Sequence, residues 1–161
     1  MRDLTQLQAR DALDYNPSSG QFRWRHSGGI AGHVDPTRTC TYRVIVIRGQ
    51  KYYAHRLAWL YMKGEWPPSK IDHVNGDGID NKWGNLRLAT DSENSTNAKL
   101  RKTNSTGYKG VCYNKRTGQA KAQIQFNGVV YHLGSRPTPE LAHALYVKAS
   151  KKIHKQFSRI K

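Results

Sequence analysis

The segment from Lys70 to Leu100 constrains this chain more than any other. Lys70 to Val74 has the pattern of a short strand, Asn75-Gly76-Asp77-Gly78 that of a tight polar loop, and Asn85 to Ala89 that of a second short strand. Thr90-Asp91-Ser92-Glu93 then fits a capping box, in which the Thr90 hydroxyl takes the Glu93 amide and the Glu93 carboxylate reaches back to the Thr90 amide. The helix so begun is expected to run to about Leu100 and to carry Asn94 in its first turns.

Before this segment, Thr5 to Leu13 reads as a short, weakly amphipathic helix closed by the turn residues Asn16-Pro17-Ser18-Ser19-Gly20. Gln21 to Arg25 alternates like a half-buried strand, and Gly28, Gly29, Gly32 and Pro36 mark a loop. Tyr42 to Ile47 and Lys51 to Ala54 predict a hairpin about Arg48-Gly49-Gln50. Leu57, Ala58, Leu60 and Tyr61 predict a helix over His55 to Met62, stopped by Gly64 and Pro67-Pro68.

After it, Lys99 to Thr106 is polar and basic and reads as a linker. Tyr108 to Tyr113, Ala120 to Phe126 and Val129 to Leu133 read as three strands, with Gly118 and Asn127-Gly128 at the turns. Thr138-Pro139-Glu140 opens a last helix with Leu141, Ala142, Leu145 and Ala149 on one face. The expected class is α+β: a domain over residues 1–100 with its motif core at 70–100, a basic linker at 99–106, and a small three-stranded antiparallel sheet packed on one helix over 107–161.

Charge supplies the partner class. Lys and Arg total 27 against 11 acids, and residues 101–161 hold 13 of the bases and one acid. Such a surplus repels itself unless an anion neutralises it, so nucleic acid is the expected partner. The β-branched apolar run Val44 to Ile47 is far short of the ~20 residues of a bilayer span. The start, Met1-Arg2-Asp3-Leu4-Thr5-Gln6, has no signal-peptide core, and a cytoplasmic location is expected. Cys40 and Cys112 lie apart without a CxxC pair, so both read as reduced thiols and no structural zinc is expected.

Phosphodiester cleavage needs a nucleophilic water, a base to deprotonate it and a positive centre for the developing charge. Ile71 to Asn97 supplies candidates for each. Ile71-Asp72-His73-Val74-Asn75-Gly76-Asp77, Asp80-Asn81, Gly84-Asn85-Leu86-Arg87, and Thr90 to Asn94 with Asn97 resemble the HNH (ββα-metal, His-Me finger) motif of phage and intron-encoded homing endonucleases. His55-Arg56-Leu57-Ala58-Trp59, Gly64-Glu65-Trp66-Pro67 and the stretch from Tyr15-Asn16-Pro17 to Trp24 resemble the segments upstream of that motif. The resemblance implies His73 as general base, Asp72 and Asn94 as oxygen ligands of one Mg²⁺ or Mn²⁺, and Asn85 as the asparagine that braces the hairpin. Asn97, three residues after Asn94 on the same helical face, is a third ligand, a phosphate contact or a solvated asparagine.

Thr106-Gly107-Tyr108-Lys109-Gly110-Val111, Ala122-Gln123-Ile124, Leu133-Gly134 and Pro139 to Tyr146 resemble the Apetala-type, ethylene-response-factor-like DNA-binding domain. That family lays a three-stranded sheet in the major groove. The resemblance implies Lys109, Lys121, Gln123, Gln125 and His132 as contacts to duplex DNA, with Ala122, Ile124 and Phe126 on the opposite, apolar face. The family's usual tryptophan is Ala120 here, so no base preference transfers.

The expectation is therefore a metal-dependent DNA endonuclease of nicking or homing type, acting as a monomer or weak dimer in the cytoplasm, which is the bacterial host's if a phage encodes it. The alternatives are a non-catalytic DNA-binding or transcriptional regulatory protein on a degenerate nuclease scaffold and a structural RNA-binding protein.

Overall fold

A computed structural model describes residues 4–35, 41–98, 100, 103–126, 128–154, 157 and 158. Pro36, Cys40, Asn127, Lys155 and Lys161, with Lys99, Arg101 and Lys102 of the expected linker, lie outside the described residues. The chain forms two compact units, residues 1–89 and 90–161.

The first unit begins with helix α1 (Gln6–Ala12), entered through a capping box of Thr5 and Gln8. The helix stops where Leu13 turns extended, and β1 (Leu13–Asn16) pairs antiparallel with β2 (Gln21–Trp24). Sequence periodicity gave Leu13 to the helix. Its burial alternates with Tyr15 instead, because both side chains fill the core while Asp14 and Asn16 face water. Strands β3 (His33–Asp35), β4 (Tyr42–Ile47) and β5 (Gln50–Tyr53) form a sheet in the order β3-β4-β5. β3 falls where glycine and proline predicted only a loop.

Helix α2 (Ala54–Lys63) follows directly and ends on Gly64, whose amide bonds the Leu60 carbonyl in a left-handed cap. Strands β6 (Lys70–His73) and β7 (Leu86–Ala89) form a separate antiparallel hairpin. Leu4, Leu13, Phe22, Ile45, Leu57, Leu60, Ile71 and Leu86 share one core, and each such side chain contributes about 1.5–3 kcal/mol on burial. Ile71 and Leu86 tie the β6–β7 hairpin into that core, which fixes the positions of the residues between them.

The second unit holds α3 (Asp91–Asn97), then β8 (Val111–Tyr113), β9 (Ala120–Phe126), β10 (Val129–Arg136) and α4 (Pro139–Ile153). The sheet order is β10-β9-β8, all antiparallel, with a bulge between His132 and Gly134. The molecule is thus of the expected mixed class with small antiparallel sheets. Two local expectations are corrected. Helix α4 buries Ala142, Tyr146 and Ser150 and packs Leu145 against the same core, as expected of Ala142 and Leu145, while Leu141 is 53% exposed. Phe126, paired with Val129 at the β9–β10 turn, is exposed, although Ala120, Ala122 and Ile124 are buried in alternation as expected. Among the described residues no helix is long and apolar enough to cross a membrane.

Candidate active site

Asp72 and His73 are consecutive residues at the end of β6, and both are buried. Asp72 stands directly opposite Arg87 in the β6–β7 ladder. Opposite residues in an antiparallel pair project to the same face. Arg87 Nε and a terminal guanidinium nitrogen both donate to Asp72 Oδ2, at 2.8 and 2.7 Å. A carboxylate removed from water is thereby held by charge-assisted bonds rather than left bare.

His73 ends the strand, and its carbonyl accepts from the Gly76 amide at 2.7 Å as the loop turns away. Its Nε2 lies 3.3 Å from Asn81 Oδ1. The Asn81 amide nitrogen is committed to the Ile79 carbonyl at 3.0 Å, so the oxygen faces the ring and can only accept. His73 Nε2 therefore carries the proton in the neutral imidazole, and Nδ1 is the basic nitrogen. Burial lowers the His73 pKa, opposed by the Asn81 bond and then by the carboxylates of Asp72, Asp77 and Asp80.

The loop between the strands is laced by its own side chains. Asn85 accepts from the Asn75 amide at 3.0 Å and donates to Asn75 Oδ1 at 3.0 Å and to the Asp80 carbonyl at 2.7 Å. Asn75 also donates to the Asp80 carboxylate at 2.8 Å. Loop residues 75 to 80 are thus tied to the start of β7, and Asn81 inherits a fixed position.

The β1–β2 hairpin supports Asn81 from outside the loop. Tyr15 Oη donates to the Asn81 carbonyl at 2.7 Å, and the Trp83 amide donates to the Pro17 carbonyl at 2.9 Å. Burial and then the Asp80 charge push the Tyr15 phenol well up, which keeps it a donor. Gly20 has a φ of 73°, and a Cβ there would lie under 3 Å from the Asn81 and Lys82 backbone. Only glycine lets the 16–20 turn close against that segment.

His55 is buried in the first turn of α2 beside His73, with ring centroids 5.3 Å apart. Tyr42 and Tyr53 flank it at 5.0 and 5.5 Å. Burial, followed by the His73 and Arg56 charges, pushes its pKa down to about 3. Its Nδ1 has no hydrogen-bond partner among the described residues. Nothing in the local pattern at position 55 signals this approach, because it is made by two elements distant in sequence.

Among the described residues no group of three or more His, Cys, Asp and Glu side chains is arranged to hold a metal ion. Asp72, buried at the end of β6 and held by Arg87, offers an anionic oxygen donor in a rigid setting. That fits a hard divalent cation completed by water and phosphate oxygens.

Of the other expected site residues, Asn94 and Asn97 lie on α3 in the second unit, Asn94 half-buried and Asn97 buried. Thr90 and Glu93 form both bonds of the capping box. On the sheet, Lys121 pairs with Ser135 and Cys112, Gln123 with His132, and Gln125 with Val130, so these side chains share one face. Gln123, Gln125 and Val130 line a cleft of about 490 Å³ together with Ser95, Thr96 and Lys109. The Lys109 ammonium donates to the carbonyls of Thr96 and Ala98. Cys112 is a half-buried free thiol.

Residues 52–96 match the family model described as HNH endonuclease. The chain is 31% identical over 108 residues to Protein 3.8 of Escherichia phage T7, a match spanning 66% of this chain and 88% of that one. It is 29% identical over 110 residues to an uncharacterised HNH endonuclease of Acanthamoeba polyphaga mimivirus, spanning 67% of this chain and 56% of that protein. Among solved structures, one described as DNA binding and cleavage by the HNH homing endonuclease I-HmuI aligns with 89% of this chain and 85% of its own, at 19% identity and a TM-score of 0.42.

Proposed function

The chain belongs to the HNH endonuclease family, and on that premise we propose that it hydrolyses phosphodiester bonds of duplex DNA with the help of one divalent cation, Mg²⁺ or Mn²⁺. The observation that carries the reading is the orientation of His73: Asn81 holds the Nε2 proton, so Nδ1 is the nitrogen able to take a proton from water. Charged groups around the ring favour the step. The imidazolium formed by that transfer is stabilised by Asp72, Asp77 and Asp80, while burial keeps the resting ring neutral.

Asp72 would supply one oxygen ligand for the cation, and Asn94 would supply another. Asn97 is a third ligand or a phosphate contact on the same helix. A bound divalent ion supplies charge stabilisation at the phosphate and the leaving oxygen. Arg87 keeps the Asp72 carboxylate aimed from β7, and Asn85 braces the loop that carries Asn81. Neither touches the reacting atoms; both are positioning residues.

The second unit brings positive charge and the exposed or half-exposed face of Lys121, Gln123, Gln125 and His132 to duplex DNA. Phosphate contacts from such a face fix the register of a duplex and release counterions, so affinity falls steeply with salt. The test is nicking of supercoiled plasmid. Open circles should accumulate with Mg²⁺, be absent with chelator, and return with Mn²⁺; cleavage undiminished by chelator, or unchanged in Asp72→Asn, defeats the reading.

A further inference from the structure

Helix α3 cannot hold itself together. It has seven residues, Asp91 to Asn97, none of them apolar. So short a helix is marginal in water, and without an apolar stripe it gains little from core packing. Its N-terminal end is closed by the Thr90–Glu93 capping box. Its C-terminal carbonyls, which have no helical partner, are taken by a residue from beyond the helix: the Lys109 ammonium donates to both Thr96 and Ala98. A cation at that end also meets the negative end of the helix dipole.

The backbone around Lys109 is built tightly enough to make this a fixed anchor. His143 Nδ1, on α4, lies 3.0 Å from the Lys109 carbonyl, which can only accept. Gln123 on β9 donates its amide to the Gly110 carbonyl at 2.8 Å. Gly110 has a φ of 73°, and a Cβ there would lie under 3 Å from three carbons of the Tyr146 ring. The turn at residues 108–110 is therefore clamped between α4 and the sheet, which is why β8 starts only at Val111 and not at Tyr108 as the sequence pattern suggests.

From this geometry we infer that Lys109 is a positioning residue for Asn94, and that the C-terminal unit sets the helix bearing this ligand in addition to meeting DNA. The inference deepens the proposed nuclease site and rests on it for the role of Asn94. It also reassigns a lysine whose sequence context points to a phosphate contact.

The experiment uses the full chain with Lys109→Met, which keeps the aliphatic stem, and Lys109→Arg, which keeps the charge. Amide hydrogen exchange is read for α3, with β9 and β10 as the internal control for folding of the unit. The expected result is exchange at least about ten-fold faster at the protected α3 amides of Lys109→Met, unchanged protection in β9 and β10, and α3 protection at the wild-type level in Lys109→Arg. In plasmid nicking, kcat should fall while KM for DNA stays within about two-fold. Unchanged α3 exchange overturns the inference, as does a loss confined to DNA affinity. If the wild-type chain does not nick DNA, the nuclease reading fails, and the exchange data still decide whether Lys109 holds the helix. Should β9 and β10 also lose protection in Lys109→Met, Lys109→Arg decides alone: α3 protection at the wild-type level supports the anchor, and faster α3 exchange with an intact sheet overturns it.

Discussion

Asn81 Oδ1 faces His73 Nε2 at 3.3 Å, and the Asn81 amide nitrogen is already spent on the Ile79 carbonyl. This pairing sets which ring nitrogen is basic. Asn81→Ala removes the acceptor that holds the Nε2 proton and leaves Nδ1 basic, so kcat for nicking should fall on the order of 10- to 100-fold. KM for DNA should be little altered, because Asn81 is 2% exposed and cannot touch a duplex directly. Steady-state kinetics on a nicked-plasmid assay check this split.

Arg87 and Asp72 form a pair whose side chains are 14% and 5% exposed. Arg87→Ala would leave a buried carboxylate without its cation, at a cost of about 3–5 kcal/mol in folding free energy. Asp72→Asn combined with Arg87→Gln should recover much of that loss, since two neutral amides can bond each other across the same ladder position. Urea denaturation of the two variants measures it, and activity should stay low in both.

The buried histidine beside the base gives stability a pH dependence. His55 has a folded pKa of about 3 against an ordinary value of 6.5, so between these values the unfolded chain binds a proton that the folded chain does not. Stability is therefore complete above about pH 6.5 and is lost as the pH falls, at about 1.4 kcal/mol per pH unit from this one group. His73, also lowered by burial, acts in the same direction. Thermal melts from pH 7.5 to pH 4.5 should show a steep fall that flattens in His55→Gln.

Support from the β1–β2 hairpin can be removed without touching the loop. Tyr15→Phe deletes the bond to the Asn81 carbonyl and Gly20→Ala forces a Cβ against the Asn81 and Lys82 backbone. Gly20→Ala should be the more damaging, because it adds left-handed strain to a backbone clash, with a loss of more than about 2 kcal/mol against about 1 for Tyr15→Phe. Chemical denaturation orders the two.

What the sequence made legible was local. The Thr90–Glu93 capping box, the hairpin of Tyr42 to Tyr53 and the strand–loop–strand around Asn75 depend on residues a few positions apart, and each stands where the pattern places it. Asp72, His73 and Asn85 were legible as motif positions, but their partners were not. Arg87 meets Asp72 through strand register, His55 meets His73 through the packing of α2, and Tyr15 reaches Asn81 across 66 positions. Lys109 shows the same limit from the other side: a basic residue in a basic tail looks like a phosphate contact until the helix end it serves is in view.

The central claim, that His73 takes the proton from the attacking water, is tested most directly by single-turnover nicking with His73→Ala at saturating Mg²⁺, with and without added imidazole. The account predicts a loss of at least about 100-fold, partly restored by imidazole in proportion to its neutral form. Cleavage by His73→Ala at the wild-type rate would contradict it.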